Sequence, residues 1–272
     1  MKQQGWQAEL ALKFSPRPDK TVLSGRKQRG PLTVQRPFYP EDGVCHLYVL
    51  HPPGSVVGGD ALQIDATVES GANALVTTPG ATKFYRSAGL EATQIQRLTI
   101  DRQASLEWLP QENIFFSGSR VSLRNEIHLH DKAGFIGWEI HCLGRPASDE
   151  RFSDGSADFS LKLFRENKPL LLERLSLKDQ SGLLALSGLR QHPVVATLLA
   201  TRANPDILET VQQRFSQAEN AQTGYTLLED LLVCRYLGHS TEQARQLLTS
   251  IWSCIRPLTL GRAACPPRIW ST

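Results

Sequence analysis

The chain has 272 residues, of which 40% are hydrophobic and 21% charged, and its 30 basic and 27 acidic side chains leave a formal net charge of +3. That length allows a sizeable core, and no run approaches the roughly 18 apolar residues of a transmembrane helix. The mild charge, with no long basic block, gives no argument for nucleic acid.

The N-terminal MKQQGWQAELALKF lacks the apolar stretch and small-residue cleavage site of a secretory signal. The five cysteines (Cys45, Cys142, Cys234, Cys254, Cys265) are scattered and form no C-x-x-C. Neither a disulfide framework nor a cysteine-rich zinc site is indicated, and a cytoplasmic location is expected.

In chain order, the first two thirds read as strand after strand. Ala8, Leu10, Leu12 and Phe14 alternate with polar residues, which places apolar side chains on one face of a half-buried sheet. The glycine-rich Gly54-Ser55-Val56-Val57-Gly58-Gly59-Asp60 is no P-loop: the lysine and following helix are missing, and an alternating strand (Leu62, Ile64, Ala66, Val68) comes next. A tight turn with glycines at positive φ is expected there. The stretch VTTPGATKFYRSAG (76–89) breaks at Pro79-Gly80 and then carries Lys83, Phe84, Tyr85 and Arg86. Such a loop suits nucleic acid or a protein interface, where Tyr and Arg act as anchors. Trp108-Leu109-Pro110-Gln111-Glu112-Asn113-Ile114-Phe115-Phe116 is either core or a second interface.

Alternation resumes through Val121, Leu123, Ile127 and Leu129, and again through Phe159, Leu161 and Leu163. Helices are confined to the C-terminal third. Asn204-Pro205 starts one, with Ile207, Leu208, Val211 and Phe215 on one face. Ser240 and Gln243 cap another, which runs through Ala244, Leu247, Leu248, Ile251, Trp252 and Ile255 until Pro257 stops it. Residues 227–237 between them read as a strand. No internal repeat or linker is visible. The expected fold is therefore mainly β (α+β): one domain over 1–272, a large antiparallel-rich multi-strand structure with two C-terminal helices.

Three chemistries remain to weigh. No G-x-S-x-G elbow or H-E-x-x-H occurs, so no catalytic residue is assigned. His128 and His130, two apart in a strand, point to one face and offer two ligands of a metal site. A metal-dependent hydrolase using His128 and His130 with a carboxylate is the alternative function, and it needs a third ligand converging on both rings. Finally, Asp60, Glu139 and Glu173 sit among apolar neighbours. A carboxylate so placed must pair with a cation, bind water or take up a proton, and the three together could line a polar path for a cation.

The segments PLTVQRPFYPEDGVCHLYVLHPPGSVVGGD, VTTPGATKFYRSAG, LEWLPQENIFFSGS, GWEIHCLGRPASDERF and IRPLTLGRAACPPRIW, in this order, resemble the urease accessory protein family UreD, called UreH in some organisms. The likeness runs from about residue 6 to the C-terminus. Two loop positions depart from it: Ser55 stands where the family often has a second glycine, and Asp149 where it often has Gly before Glu. The resemblance implies a mostly β scaffold with two helices that is not itself an enzyme. It implies binding to apo-urease and, through UreF, recruitment of the GTPase UreG. The assembly loads nickel and carbonates the urease lysine, nickel passing through the inside of UreF and UreD. On that basis no cofactor is tightly bound and nickel is held transiently, with no nucleic-acid or membrane partner. Asp60, Glu139 and Glu173 are then candidates for lining the nickel path, and Lys83, Tyr85, Arg86, Phe115 and Trp252 for the partner surfaces.

Overall fold

The computed structural model describes residues 5–271 apart from Asp179, Ser187 and 217–220. The alternation near the N-terminus forms β1 (Gln7–Pro16), which buries Ala8, Leu10, Leu12 and Phe14. The chain returns as β2 (Thr21–Arg29) and a short β3 (Thr33–Val34), and then it winds. Each coil supplies one strand to a first sheet, a short strand at a corner, and one strand to a second sheet. The first coil is β4 (Cys45–Leu50), β5 (Ser55–Val56) and β6 (Ala61–Val68). The second is β7 (Asn73–Thr77), β8 (Thr82–Phe84) and β9 (Ala92–Ile100), and the third β10 (Ser105–Leu109), β11 (Asn113–Phe115) and β12 (Arg120–Leu129). In the fourth, the long β13 (Gly134–Arg145) serves both sheet and corner, and β14 (Glu150–Arg151) leads to β15 (Ser156–Arg165).

Neighbouring coils pair in parallel on all three faces: β4–β7–β10–β13, β5–β8–β11–β13 and β6–β9–β12–β15. The outcome is a β-solenoid-like winding. β1 adds parallel to β6, and the second sheet finishes with antiparallel edges, β2 on β1 and β16 (Lys168–Leu177) on β15. The mainly β expectation holds, but its antiparallel-rich part is wrong. Alternation marks a half-buried strand whichever way its neighbour runs, and helix-free connections suggest hairpins. Here the crossover that parallel neighbours require is made by strands of the other two faces instead of a helix. The coils open at Cys45, Asn73, Ser105 and Gly134, at uneven intervals, which is why no period shows in the sequence.

After a short α1 (Gln180–Leu184), which the sequence did not announce, come β17 (Val194–Ala200), α2 (Pro205–Phe215), β18 (Gln222–Leu228), β19 (Leu231–Gly238) and α3 (Thr241–Leu260). β17, β19 and β18 extend the first sheet antiparallel beyond β13. The single strand expected over 227–237 is thus a hairpin turning at Glu229, whose φ is 56°. Asn204 caps α2, its Oδ1 accepting the Ile207 N–H at 2.9 Å, and Ser240 caps α3, its Oγ accepting the Gln243 N–H at 3.2 Å. Pro257 does not end α3. Burial of Ile255, Arg256 and Thr259 carries the helix over the lost N–H, until Gly261 closes it at φ 68°. Asp149 stands at φ 54°, in the left-handed region that glycine enters without cost.

Two apolar cores result. One fills the coil between the sheets; the other lies between the outer face of the first sheet and helices α2 and α3. The solvent face of the second sheet carries a row of alternating charge across its parallel strands. Arg97 lies 3.5 Å from Asp65 and 3.9 Å from Glu126, which in turn lies 3.7 Å from Lys162.

A buried ionic network joins helix to coil. Arg256, with no exposed side-chain area, donates to both oxygens of the equally buried Glu107 at 2.9 Å each. It also donates to Glu41 at 2.9 and 2.5 Å and to the Ala263 carbonyl. Trp252 Nε1 donates to Glu107 at 2.7 Å, and His46 Nε2 lies 2.7 Å from Glu41. Burial alone would raise the Glu41 pKa, but the bonds from His46 and Arg256 hold it at about 2, well under its ordinary 4.5.

Removing one partner leaves the other buried and unpaired, so Arg256→Met should cost roughly 3–5 kcal/mol in urea unfolding. Removing one of the two carboxylates left unpaired, with Arg256→Met/Glu107→Leu, should recover part of it. A depressed carboxylate stabilises above its unfolded pKa, and that contribution fades as pH falls through the folded value. Unfolding free energy should therefore drop between about pH 4.5 and pH 2, and Glu41→Gln should flatten that segment of the curve.

Candidate functional site

The two sheets do not close on each other everywhere. Between them lies a cavity of about 440 Å³ whose rim includes the exposed Pro52, Gly54, Pro79 and Gly80. The rim is built from the loops that join sheet strand to corner strand in successive coils, so the stacking of coils places 50–54, 77–82 and 110–113 side by side. Thr77 Oγ1 donates to the Leu109 carbonyl at 2.5 Å, and Thr78 Oγ1 accepts the Gln111 N–H at 2.9 Å, which ties two rim loops together. Gly137 leaves room for the Phe135 ring, which a Cβ there would meet at 2.4 Å.

The walls are mostly apolar, with Gln94, Gln96, Asn125, Glu139 and Thr197 among them. Period-two geometry in β13 explains the acid. Ile136, Trp138 and Ile140 face the helices, while Phe135, Glu139 and His141 face the coil interior. Asn125 Nδ2 donates to Glu139 Oε2 at 2.7 Å, and Trp108 Nε1 donates to Gln96 at 3.0 Å. His141 is 3% exposed, its ring centroid 4.4 Å from that of Phe159 and 5.7 Å from that of Phe115. Its Nδ1 is 3.5 Å from Asn113 Nδ2, and its Nε2 is 3.4 Å from Glu139 Oε1 without hydrogen-bond alignment. Asn125 Oδ1 is also buried without a partner. An amide can serve Nδ1 as donor or acceptor according to its orientation.

Burial pushes the Glu139 pKa upward, but attraction to the His141 ring and the bond from Asn125 outweigh it and hold the carboxyl below its ordinary value. Glu139 is thus a carboxylate facing an apolar cavity, with two unsatisfied polar atoms near it. At the rim, burial pushes the His51 ring below its ordinary pKa against the pull of Asp60, and its Nδ1 also lacks a partner. One carboxylate and one imidazole are fewer ligands than a tightly held metal ion takes.

The family model of the UreD urease accessory protein matches residues 7–271. The chain belongs to the UreD urease accessory protein family. Among its relatives, the urease accessory protein UreD of Alcanivorax borkumensis is 48% identical over 98% of this chain and 93% of its own length. The UreD proteins of Enterobacter sp. strain 638 and Pseudomonas putida strain W619 are 44% and 45% identical over 98% of this chain, and 96% and 95% of their own.

The three acids singled out in this UreD chain do not come together. Only Glu139 lines the cavity. Asp60, 4% exposed, accepts the Trp6 N–H at 2.7 Å and the Val57 N–H at 2.8 Å, pinning the N-terminal segment to the turn before β6. That turn has the expected positive-φ glycines, Gly54 at 68° and Gly59 at 96°. Glu173 pairs with Arg235 of β19, joining the edge strand of the second sheet to the penultimate strand of the first. Of the interface candidates, Lys83, Tyr85 and Arg86 are exposed beyond the cavity rim, with Tyr85 packed against Phe116 at 4.4 Å between ring centroids. Phe115 and Trp252 are not surface residues. Phe115 points into the coil against Phe84 and Phe159, and Trp252 is buried against the first sheet, donating to Glu107 of β10.

His128 and His130 do not share a ligand environment. His128 stacks on Phe164 at 5.1 Å, and His130 sits 3.8 Å from Asp101 and 3.6 Å from Glu166. Among the described residues, no three His, Cys, Asp or Glu side chains gather to hold a metal, and no helix is long and apolar enough to cross a membrane. His141, Asn125 and the glutamines escape a reading of the sequence because they become neighbours only across stacked coils. The one local signal is Glu139-Ile140-His141, two polar residues on one face of an apolar strand.

Asp60→Ala should strand two backbone N–H groups and lower stability by about 1–3 kcal/mol, measured by thermal unfolding. Asp60→Asn, which keeps one acceptor, should cost less.

Proposed function

We propose that this chain is a non-catalytic scaffold of urease maturation, working in the cytoplasm. It binds apo-urease and UreF, recruits UreG through UreF, and lets nickel pass through the coil interior toward the urease active site. Nickel is cargo, and no cofactor is resident. The observation that carries this reading is the 440 Å³ cavity with ionised Glu139 beside His141 and Asn125.

A dication entering an apolar passage loses hydration at a cost that grows with its charge. Glu139 offsets part of that cost by Coulomb attraction, and the side-chain oxygens of Gln94, Gln96 and Asn125 stand in for water. The volume has room for on the order of ten waters, so the ion keeps much of its shell. Fewer than a full set of protein ligands keeps the hold weak, as transfer requires. Lys83, Tyr85 and Arg86, exposed beyond the rim, provide charge and aromatic area for a protein partner.

The test is co-expression with the urease subunits, UreF and UreG under nickel. Glu139→Gln keeps the shape and the Asn125 contact but removes the charge. The UreD–UreF–urease complex should still be recovered by affinity pull-down, while nickel per urease falls several-fold. Full nickel content in the variant would remove Glu139 from the route. Failure of the unsubstituted chain to capture either partner would overturn the scaffold reading itself.

A further inference from the structure

Val194 and Gly238 are paired in the β17–β19 ladder, so the residues just past those strand ends emerge side by side. They are His192 and His239. His192 Nδ1 lies 3.0 Å from His239 Nε2, and the ring centroids are 4.7 Å apart at 62°. The contact is an N–H···N hydrogen bond whose donor depends on the tautomer, with the rings edge to face, and a dication that takes both nitrogens replaces the shared proton. His239 is exposed and His192 half-buried, so an ion reaches the pair from solvent. The backbone beneath is fixed by the ladder and by the His192 N–H, which donates to the Leu189 carbonyl at 2.8 Å.

Two imidazole nitrogens bound in adjacent positions to one first-row dication, each at about 2.0–2.1 Å, stand about 3 Å apart. From that match we propose that His192 and His239 form a two-imidazole surface site for a borderline first-row dication such as nickel, zinc or copper, independent of the coil interior. Arg190 acts electrostatically on the His192 ring. The Arg190 charge also weakens the hold on a cation. Among the described residues no carboxylate or thiol joins the pair, so water completes the sphere. The hard ions magnesium and calcium, which prefer oxygen ligands, are not retained.

The experiment is equilibrium dialysis of the full-length chain against nickel at pH 7.5, with magnesium as the control. His192→Ala and His239→Ala should each remove one bound equivalent or weaken it by at least about tenfold, since losing a ligand costs no less than losing an outer partner of one. The same equivalent should persist in Glu139→Gln, which separates this site from the interior one. An unchanged equivalent in either histidine variant, or a loss in only one of them, overturns the paired site. Should an alanine variant prove unfolded by circular dichroism, the glutamine variants at the same positions decide: retained binding in a folded His239→Gln overturns the proposal, and its loss supports it.

Discussion

A single guanidinium, Arg256, holds two architectures together. The coil is stacked by backbone pairing and could in principle stand without helices, and α3 is amphipathic and needs a surface. Between them, Arg256 satisfies Glu107 on a central strand of the first sheet and Glu41 on the segment leading into the first coil. Buried charges of this kind contribute little net stability over apolar packing, but they tolerate only one arrangement. Trp252, hydrogen-bonded to the same carboxylate, fixes the rotation of the helix as well as its position. The outer face of β13 is therefore committed to α3, and its alternate residues are left to line the coil.

That division of β13 produces the site. A strand buried on both faces usually reads as an unbroken apolar run. Here one face does, through Ile136, Trp138 and Ile140, while the other substitutes Glu139 and His141 for the aliphatic residues that would complete the core. The cavity exists where Gly137, Gln94, Gln96 and Asn125 replace bulk with polarity. Packing forgone in the coil thus yields a polar interior, and Phe115, Phe84 and Phe159 keep the neighbouring layer solid.

Much of the fold was legible in the sequence and its key geometric property was not. The alternation of Ala8, Leu62 and Val121 with their polar neighbours marked true strands, and Asn204 and Ser240 marked true helix starts, because these signals are local. Strand direction is a property of pairs, and nothing in one strand records it. The same limit applies to the site. Glu139 was visible as an acid in an apolar run, but Asp60 and Glu173 looked alike and differ only in where their partners lie: backbone N–H groups for one, Arg235 for the other. Phe115 and Trp252, candidates for partner surfaces under the resemblance, are core, because a sequence shows hydrophobicity, not what covers it.

The charge row on the second sheet has a consequence for how the chain finds its shape. Stacked coils of similar length invite mis-stacking, since any coil offers its neighbours much the same apolar edge. Asp65, Arg97, Glu126 and Lys162 belong to four successive layers and alternate in sign. Each contact, half in solvent, is worth at most about 1 kcal/mol. A chain that skipped a layer, however, would set Asp65 against Glu126 or Arg97 against Lys162. Like charges so placed cost about as much as opposite ones gain, so the row favours one stacking order over its alternatives.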